Sequence, residues 1–110
     1  GDGFTWDTNN PEKDRKTASK AFAIVKEKIT SGKYQVILLD EINYVLHYGF
    51  LPLDEVLEAL RDKPENVHVI CTGRNAPDQL IELADLVTEM RCIKHPYKDQ
   101  NIPAQKGIEF

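Results

Sequence analysis

A run of apolar residues followed directly by two acids constrains the fold of this chain more than any other stretch. The run is Val36 to Leu39, and Asp40 and Glu41 come next. Four consecutive apolar side chains do not fit a strand with one wet face, so they predict a strand buried on both faces, as in a parallel sheet covered by helices. The whole strand is predicted over residues 33–41, and the acids stand at its carboxyl end.

The position of the acid pair predicts its chemistry. Ligands of open α/β sheets bind at the carboxyl ends of the strands, and carboxylates there suit a hydrated Mg²⁺ held beside phosphates. Asp40 and Glu41 would then form the acidic, Walker B half of a nucleotide site. A plain strand capped by solvated acids is the alternative, and a pattern this short leaves both open.

Three amphipathic helices and two further strands surround this stretch. Apolar spacing predicts a helix over 14–30, while Pro52 and Pro77 each open another, because proline suits the first helical position. Strands are predicted over 67–72 and 86–93. This alternation predicts one α/β domain over residues 1–110, with right-handed crossovers and a mostly parallel sheet. The residues predicted to face inward are Ala18, Ala21, Phe22, Val25 and Ile29 in the first helix, Leu53, Val56, Leu57 and Leu60 in the second, and Leu80, Ile81, Leu83 and Ala84 in the third.

Arg74 follows the second predicted strand after a single glycine. It is therefore expected at the same sheet edge as the acid pair, where its planar guanidinium would match phosphate oxygens. An ordinary turn arginine paired with Asp78 or Glu82 is the open alternative.

Two aromatic residues lie in the polar, glycine-containing stretch before the first helix. Phe4 and the chain's single tryptophan, Trp6, occupy alternate positions there. Either they pack into the core, where aromatic side chains bury large areas, or they form a mobile loop that covers a flat apolar ligand.

The remaining chemically versatile residues are assigned structural roles. His47 lies among Tyr and Leu residues without a second histidine at ligand spacing, which favours a packed histidine over a metal ligand. Cys71 and Cys92 lack CxxC spacing and fall in predicted strands, so both are expected to be reduced core thiols.

Charge and hydropathy narrow the function classes. The net charge is −4 with no basic run, which does not indicate a nucleic-acid surface. No apolar stretch approaches the roughly 18 residues of a membrane span, and no secretory leader is visible. The sequence therefore predicts a cytoplasmic protein with no membrane partner.

Seven short motifs follow one another along the chain: Gly3-Phe4-Thr5-Trp6, Leu39-Asp40-Glu41, Tyr48-Gly49, Thr72-Gly73-Arg74, residues 84–89, Lys94-His95-Pro96 and residues 105–109. Together, in this order, they resemble the P-loop type of ATP:corrinoid adenosyltransferase, which acts on cob(I)yrinic acid a,c-diamide or cob(I)alamin. The resemblance covers the later part of that family's sequence, and the family's phosphate loop, GxxxxGK[ST], does not occur in these 110 residues. The 110 residues alone are therefore expected to bind ATP weakly or not at all.

The resemblance implies a fold and an activity. The fold would be P-loop NTPase-like (RecA-like), incomplete at the amino terminus, with residues 1–110 as the carboxyl-terminal part of the nucleotide-binding domain. The activity would be transfer of the 5′-deoxyadenosyl group of ATP to the cobalt of a reduced corrinoid, with release of triphosphate. A homodimer and an external reductant, such as a flavoprotein, are implied as partners.

The resemblance also assigns residues. Glu41 and Asp40 would hold Mg²⁺, and Asp40 and Arg74 would lie at the ATP phosphates, with Arg74 alternatively at the corrinoid side chains. Phe4 and Trp6 would be the catalytic aromatic loop, which wedges under the corrin ring, displaces the lower axial ligand and so eases reduction of cobalt. Two alternatives are a P-loop ATPase, in which Glu41 activates water, and a non-catalytic binding module.

Overall fold

A computed structural model describes residues 10–94 of the chain. The described part is a small α/β structure with a two-stranded parallel sheet and helices. In chain order its elements are α1 (Pro11–Thr30), β1 (Val36–Leu39), α2 (Ile42–His47), α3 (Leu53–Arg61), β2 (His68–Cys71) and α4 (Asp78–Leu83).

Helix α1 begins at a defined cap, three residues earlier than its apolar spacing predicts. The side chain of Asn10 accepts a hydrogen bond from the Lys13 backbone N–H at 3.2 Å, and Pro11 occupies the first turn. The stripe of Ala18, Phe22 and Ile29 is buried, as predicted. Burial of this stripe holds α1 on the core.

The two strands pair in parallel and in level register. Leu39 lies opposite Cys71, and Val36 lies opposite His68. The Thr72 N–H donates to the Leu39 carbonyl at 3.2 Å, so pairing continues one residue past the end of β2. The prediction of parallel strands from the first two strand segments is confirmed, although β1 is shorter than the predicted 33–41.

Burial of β1 on both faces is a wrong prediction for this structure. Ile37 packs against the core, whereas Val36 is 57% exposed and Leu38 is 59% exposed. The register places Leu38 beside Ile70 and Val36 beside His68, and all four are exposed, so the face of the sheet opposite the core is open and mostly apolar. Alternating strand side chains point to opposite faces, and the core lies on one of them only.

The second predicted amphipathic helix is present as α3. Pro52 precedes its first residue with an extended backbone, and Val56 and Leu57 are fully buried. An ion pair between Lys26 of α1 and Glu55 of α3, 2.9 Å long, joins these helices at the surface. Such an exposed pair contributes little stability, so the apolar contacts position α3.

The third predicted strand, over 86–93, is wrong. Beyond Leu83 the described residues contain neither helix nor strand, and Leu86 and Met90 are almost fully exposed. A strand forms only where a neighbour accepts its hydrogen bonds, and β1 and β2 pair with each other alone in the described sheet. Cys92 is consequently exposed rather than a core thiol.

Helix α4 buries Leu80, while Ile81 and Ala84 are exposed, contrary to prediction.

None of the helices in the described part combines the length and the apolar character that crossing a bilayer requires.

The two cysteines are expected to differ sharply in reactivity. Burial raises the pKa of the Cys71 thiol, whereas Cys92 is exposed. Because the thiolate is the nucleophile, iodoacetamide should alkylate Cys92 well before Cys71 at neutral pH. Peptide mass spectrometry over a time course measures both rates in one sample, and their convergence in urea is the control.

The raised pKa of Cys71 also makes the folding stability and the labelling rate of this residue depend on pH. A raised folded-state pKa means that the folded state favours the neutral thiol, so this contribution to stability is complete below the unfolded pKa. It is lost as pH rises through the folded pKa, and Cys71 labelling should accelerate in that alkaline window. Equal rates for the two folded cysteines at neutral pH would contradict the placement of Cys71.

Candidate functional site

The acid pair lies where β1 turns into α2. Asp40 follows the last strand residue, and Glu41 caps α2 with a left-handed backbone of φ 60° and ψ 25°. A residue with a side chain rarely adopts this conformation, and it costs roughly 1–3 kcal/mol where it occurs. The turn lets α2 start directly after the strand, and both carboxylates remain exposed.

A threonine hydroxyl ties the two acids to the neighbouring strand. Thr72 Oγ1 donates to Asp40 Oδ1 at 2.8 Å and accepts from the Glu41 backbone N–H at 2.9 Å. These bonds fix the Asp40 side chain and hold the backbone of Glu41 in its left-handed turn. Thr72 therefore positions the acid pair.

Thr72 belongs to one of the seven motifs, but the sequence alone assigns it no role. The signal that could have found it is positional. Thr72 follows Cys71 as Asp40 follows Leu39, and Leu39 and Cys71 are register partners. Residues immediately beyond a level parallel pair face each other across the sheet edge, so a polar residue at position 72 can reach the acid at position 40.

Asn43 makes a second link across the same edge. Its side-chain Nδ2 donates to the Gly73 carbonyl at 3.0 Å, and its backbone N–H donates to the Thr72 carbonyl at 3.3 Å. The residue is only 3% exposed, and its Oδ1 atom is buried without a hydrogen-bond partner among residues 10–94. Asn43, which was not predicted as a site residue, thus anchors the first turn of α2 to the end of β2.

The close approach of Asn43 to the end of β2 requires glycine at position 73. Its φ is +128°, and a Cβ at this position would lie 2.8 Å from the Cβ of Asn43. Both the backbone conformation and the contact exclude a larger residue.

Arg74 follows Gly73 and therefore leaves the sheet at the edge that carries the acid pair. It is exposed, and in the described part of the chain it forms no ion pair with Asp78 or Glu82. The turn-pairing alternative is thus not observed between those residues. The structure brings the backbones of Asp40, Glu41 and Arg74 to one edge.

Three further residues from the sequence analysis, Phe4, Trp6 and His47, are not observed at this edge of the sheet. Phe4 and Trp6 lie outside the described residues, so their predicted role stays a prediction. His47 is exposed at the end of α2, with its ring edge-on to Tyr48 at a centroid distance of 5.0 Å. It is therefore a surface residue rather than a packed one.

The donor set at the edge fits magnesium better than a closed metal cage. Asp40 and Glu41 supply carboxylate oxygens, the ligands preferred by hard cations, and one Asp40 oxygen is already bonded to Thr72. Across residues 10–94 there is no cluster of three or more His, Cys, Asp or Glu side chains that could hold a metal ion. Two carboxylates alone suit a Mg²⁺ that keeps waters and takes phosphate oxygens.

An apolar groove of about 390 Å³ opens beside the acid pair. Its walls come from α1 and from the residues around the β1–α2 turn, and Asp40 and Glu41 form its polar rim.

Comparison with known proteins gives one consistent result. All 110 residues match the model of the family described as ATP:corrinoid adenosyltransferase BtuR/CobO/CobP. A corrinoid adenosyltransferase from a Sinorhizobium species is 48% identical, with 100% of this chain and 51% of the relative covered. Corrinoid adenosyltransferases from Pseudomonas aeruginosa and Escherichia coli K12 are 41% and 40% identical, with 100% and 98% of this chain and 54% and 55% of each relative covered. The chain thus spans about half the length of these relatives.

Replacement of Thr72 by valine tests its positioning role. The substitution keeps the shape but removes the hydroxyl that bonds Asp40 and Glu41, so the free energy of unfolding should fall by about 1–2 kcal/mol. The T72S variant keeps the hydroxyl and should retain most of that stability. Urea unfolding followed by circular dichroism measures both, and a T72V variant as stable as the unsubstituted protein would contradict the role of the hydroxyl.

Proposed function

The chain belongs to the ATP:corrinoid adenosyltransferase family BtuR/CobO/CobP, a family of transferases, and on that basis we propose that the complete protein adenosylates a corrinoid. In this reaction, Co(I) of the reduced corrinoid attacks C5′ of ATP, the C5′–O bond breaks, and triphosphate leaves. The observation that carries the proposal is the pair Asp40–Glu41, fixed by Thr72 at the carboxyl edge of a parallel sheet, in a chain that matches the family over its whole length.

The proposed roles follow from the charges at this edge. Glu41 and Asp40 would hold Mg²⁺, and the ion would supply positive charge beside the phosphates of the leaving triphosphate. Thr72 keeps the Asp40 carboxylate oriented, so less ordering is needed when the nucleotide binds. Arg74 follows Gly73 at the same edge and has no ion pair among the described residues, which supports its proposed contact with phosphate oxygens. Because cobalt is the nucleophile, no protein base is required.

We place Phe4 and Trp6 in the same proposal as the aromatic loop that contacts the corrin ring. Large apolar rings exclude water and a competing axial ligand from cobalt, which makes reduction to Co(I) easier. The segment enters α1 at Asn10, and the groove on α1 opens beside Asp40 and Glu41. This connectivity supports a location of the loop near the nucleotide phosphates.

The open sheet supports the proposed domain organisation. Val36, Leu38 and Ile70 leave one apolar face uncovered, and exposed apolar patches mark surfaces that other structure covers. Together with the half-length match to the relatives, this supports residues 1–110 as the carboxyl-terminal part of a P-loop, RecA-like nucleotide-binding domain. A cytoplasmic homodimer served by an external reductant completes the proposal.

The reaction products decide between transfer and hydrolysis. The complete protein, incubated with Mg²⁺, ATP and a corrinoid reduced chemically to Co(I), should release triphosphate and form the adenosylated corrinoid in equal amounts. Phosphate chromatography and the visible spectrum of the corrinoid measure the two products. ADP and inorganic phosphate, formed at the same rate without corrinoid, would identify an ATPase instead.

Two substitutions in the complete protein should separate the proposed roles. E41Q removes the charge that holds Mg²⁺ and should weaken Mg²⁺-dependent ATP binding about ten-fold or more, equivalent to roughly 1.4 kcal/mol. W6A should leave ATP affinity nearly unchanged and slow adenosyl transfer. Calorimetric ATP titrations at several Mg²⁺ concentrations, with single-turnover kinetics, measure both. An unchanged Mg²⁺ titration in E41Q would remove its metal role, and a loss of ATP affinity in W6A would remove the wedge role.

A further inference from the structure

Asn43 connects the two segments of chain that carry the charged residues of the candidate site. It lies two residues after Glu41, in the first turn of α2, and its side-chain Nδ2 donates to the Gly73 carbonyl at 3.0 Å. That carbonyl directly precedes Arg74 in the chain. The side chain of Asn43 therefore joins the segment that bears the acid pair to the segment that bears the arginine.

The bond to Gly73 orients the chain as it leaves β2. The Gly73 carbonyl and the Arg74 N–H belong to one planar peptide unit, so a contact that holds the carbonyl also orients the start of Arg74. Glycine needs such a contact more than other residues do, because without a Cβ it adopts many backbone conformations. The Asn43 amide thus limits the directions in which Arg74 can leave the sheet edge.

The turn that carries Arg74 has an unusual backbone conformation on each side of this residue. Gly73 precedes it with φ +128°, and Asn75 follows it with φ 56°, in the left-handed region. Conformations of this kind persist only where surrounding contacts hold them, and they concentrate at ligand-binding sites. The Asn43 amide supplies such a contact on the Gly73 side.

Stability of the fold does not by itself explain an asparagine at position 43. The residue is 3% exposed, and its Oδ1 atom accepts no hydrogen bond within residues 10–94. A buried amide with an unpaired oxygen loses free energy that an apolar side chain of similar size would keep. The bond from Nδ2 to Gly73 is what distinguishes asparagine from such a side chain.

We propose that Asn43 is a positioning residue that sets the location of Arg74 relative to Asp40 and Glu41, so that the guanidinium meets the phosphates of a nucleotide held at the acid pair. The inference rests on the proposed nucleotide site. Asn43 is buried and acts through the Gly73 backbone rather than on the nucleotide. Because a guanidinium binds phosphate oxygens in a defined planar geometry, the location of Arg74 decides how much it adds to ATP affinity.

A double-mutant cycle in the complete protein tests this role. R74Q removes the charge of Arg74 and should weaken Mg²⁺-dependent ATP binding about ten-fold while Asn43 is present. In the N43A background Arg74 is no longer held in place, so R74Q should weaken binding by less than about two-fold. Calorimetric titration with ATP at a fixed Mg²⁺ concentration, without corrinoid, measures all four proteins.

Val67 supplies the matched control for lost stability. It is 2% exposed and precedes β2, at the end of the sheet opposite the candidate site. V67A should lower stability without changing the Arg74 turn, so R74Q should still weaken ATP binding about ten-fold in that background. Urea unfolding checks that N43A and V67A are folded in the assay. Should N43A not fold, N43S takes its place, because the serine hydroxyl ends one bond short of the Nδ2 position and should give the same loss of coupling.

The contrary outcomes are distinct. An equal effect of R74Q with and without Asn43 would overturn the positioning role, because independent contributions multiply. A reduced effect of R74Q in V67A as well would assign the coupling to general loss of stability and overturn it too. No effect of R74Q in the unsubstituted protein would overturn both this role and the phosphate contact of Arg74. Absence of adenosyl transfer in a protein that shows the expected coupling would overturn the proposed function and leave the role of Asn43 in ATP binding intact.

Discussion

The level parallel pairing of β1 with β2 is the constraint from which the rest of the candidate site follows. Leu39 lies opposite Cys71, so the next residues on each strand, Asp40 and Thr72, leave the sheet side by side. The Thr72 hydroxyl then bonds both the Asp40 carboxylate and the Glu41 N–H. A shift of the register by one residue would separate these groups and turn every strand side chain to the opposite face.

The edge holds backbone conformations that are unfavourable in isolation. Glu41 is left-handed, and Gly73 has a φ that residues with side chains rarely adopt. The bonds from Asn43 to the Thr72 and Gly73 carbonyls, and from the Glu41 N–H to Thr72, stabilise this arrangement. Polar groups are thereby fixed in place before any ligand arrives, which lowers the entropy that binding must overcome.

The core packs against only one face of the sheet, and the other face is exposed to solvent. Ile37, Val69 and Cys71 lie on the core together with Phe22 of α1, whereas the opposite apolar face is exposed. The acid pair stands at the boundary, beside the groove along α1. A charged pair next to an apolar groove can hold a polar and an apolar part of one ligand.

The sequence by itself determined the features that depend on local spacing. The stripe of α1, the proline that opens α3, the two central strands and the place of Asp40 and Glu41 after β1 are all legible from neighbouring residues, and the motif resemblance is confirmed by the family match. Only the tertiary structure decided the features that require a partner far away in the chain, namely strand pairing and hydrogen bonds across the sheet edge. Residues 86–93 have strand-like composition but no strand to pair with among the described residues. The roles of Thr72 and Asn43 are invisible without the fold, because hydrogen bonds across a sheet edge join residues about thirty positions apart in the chain.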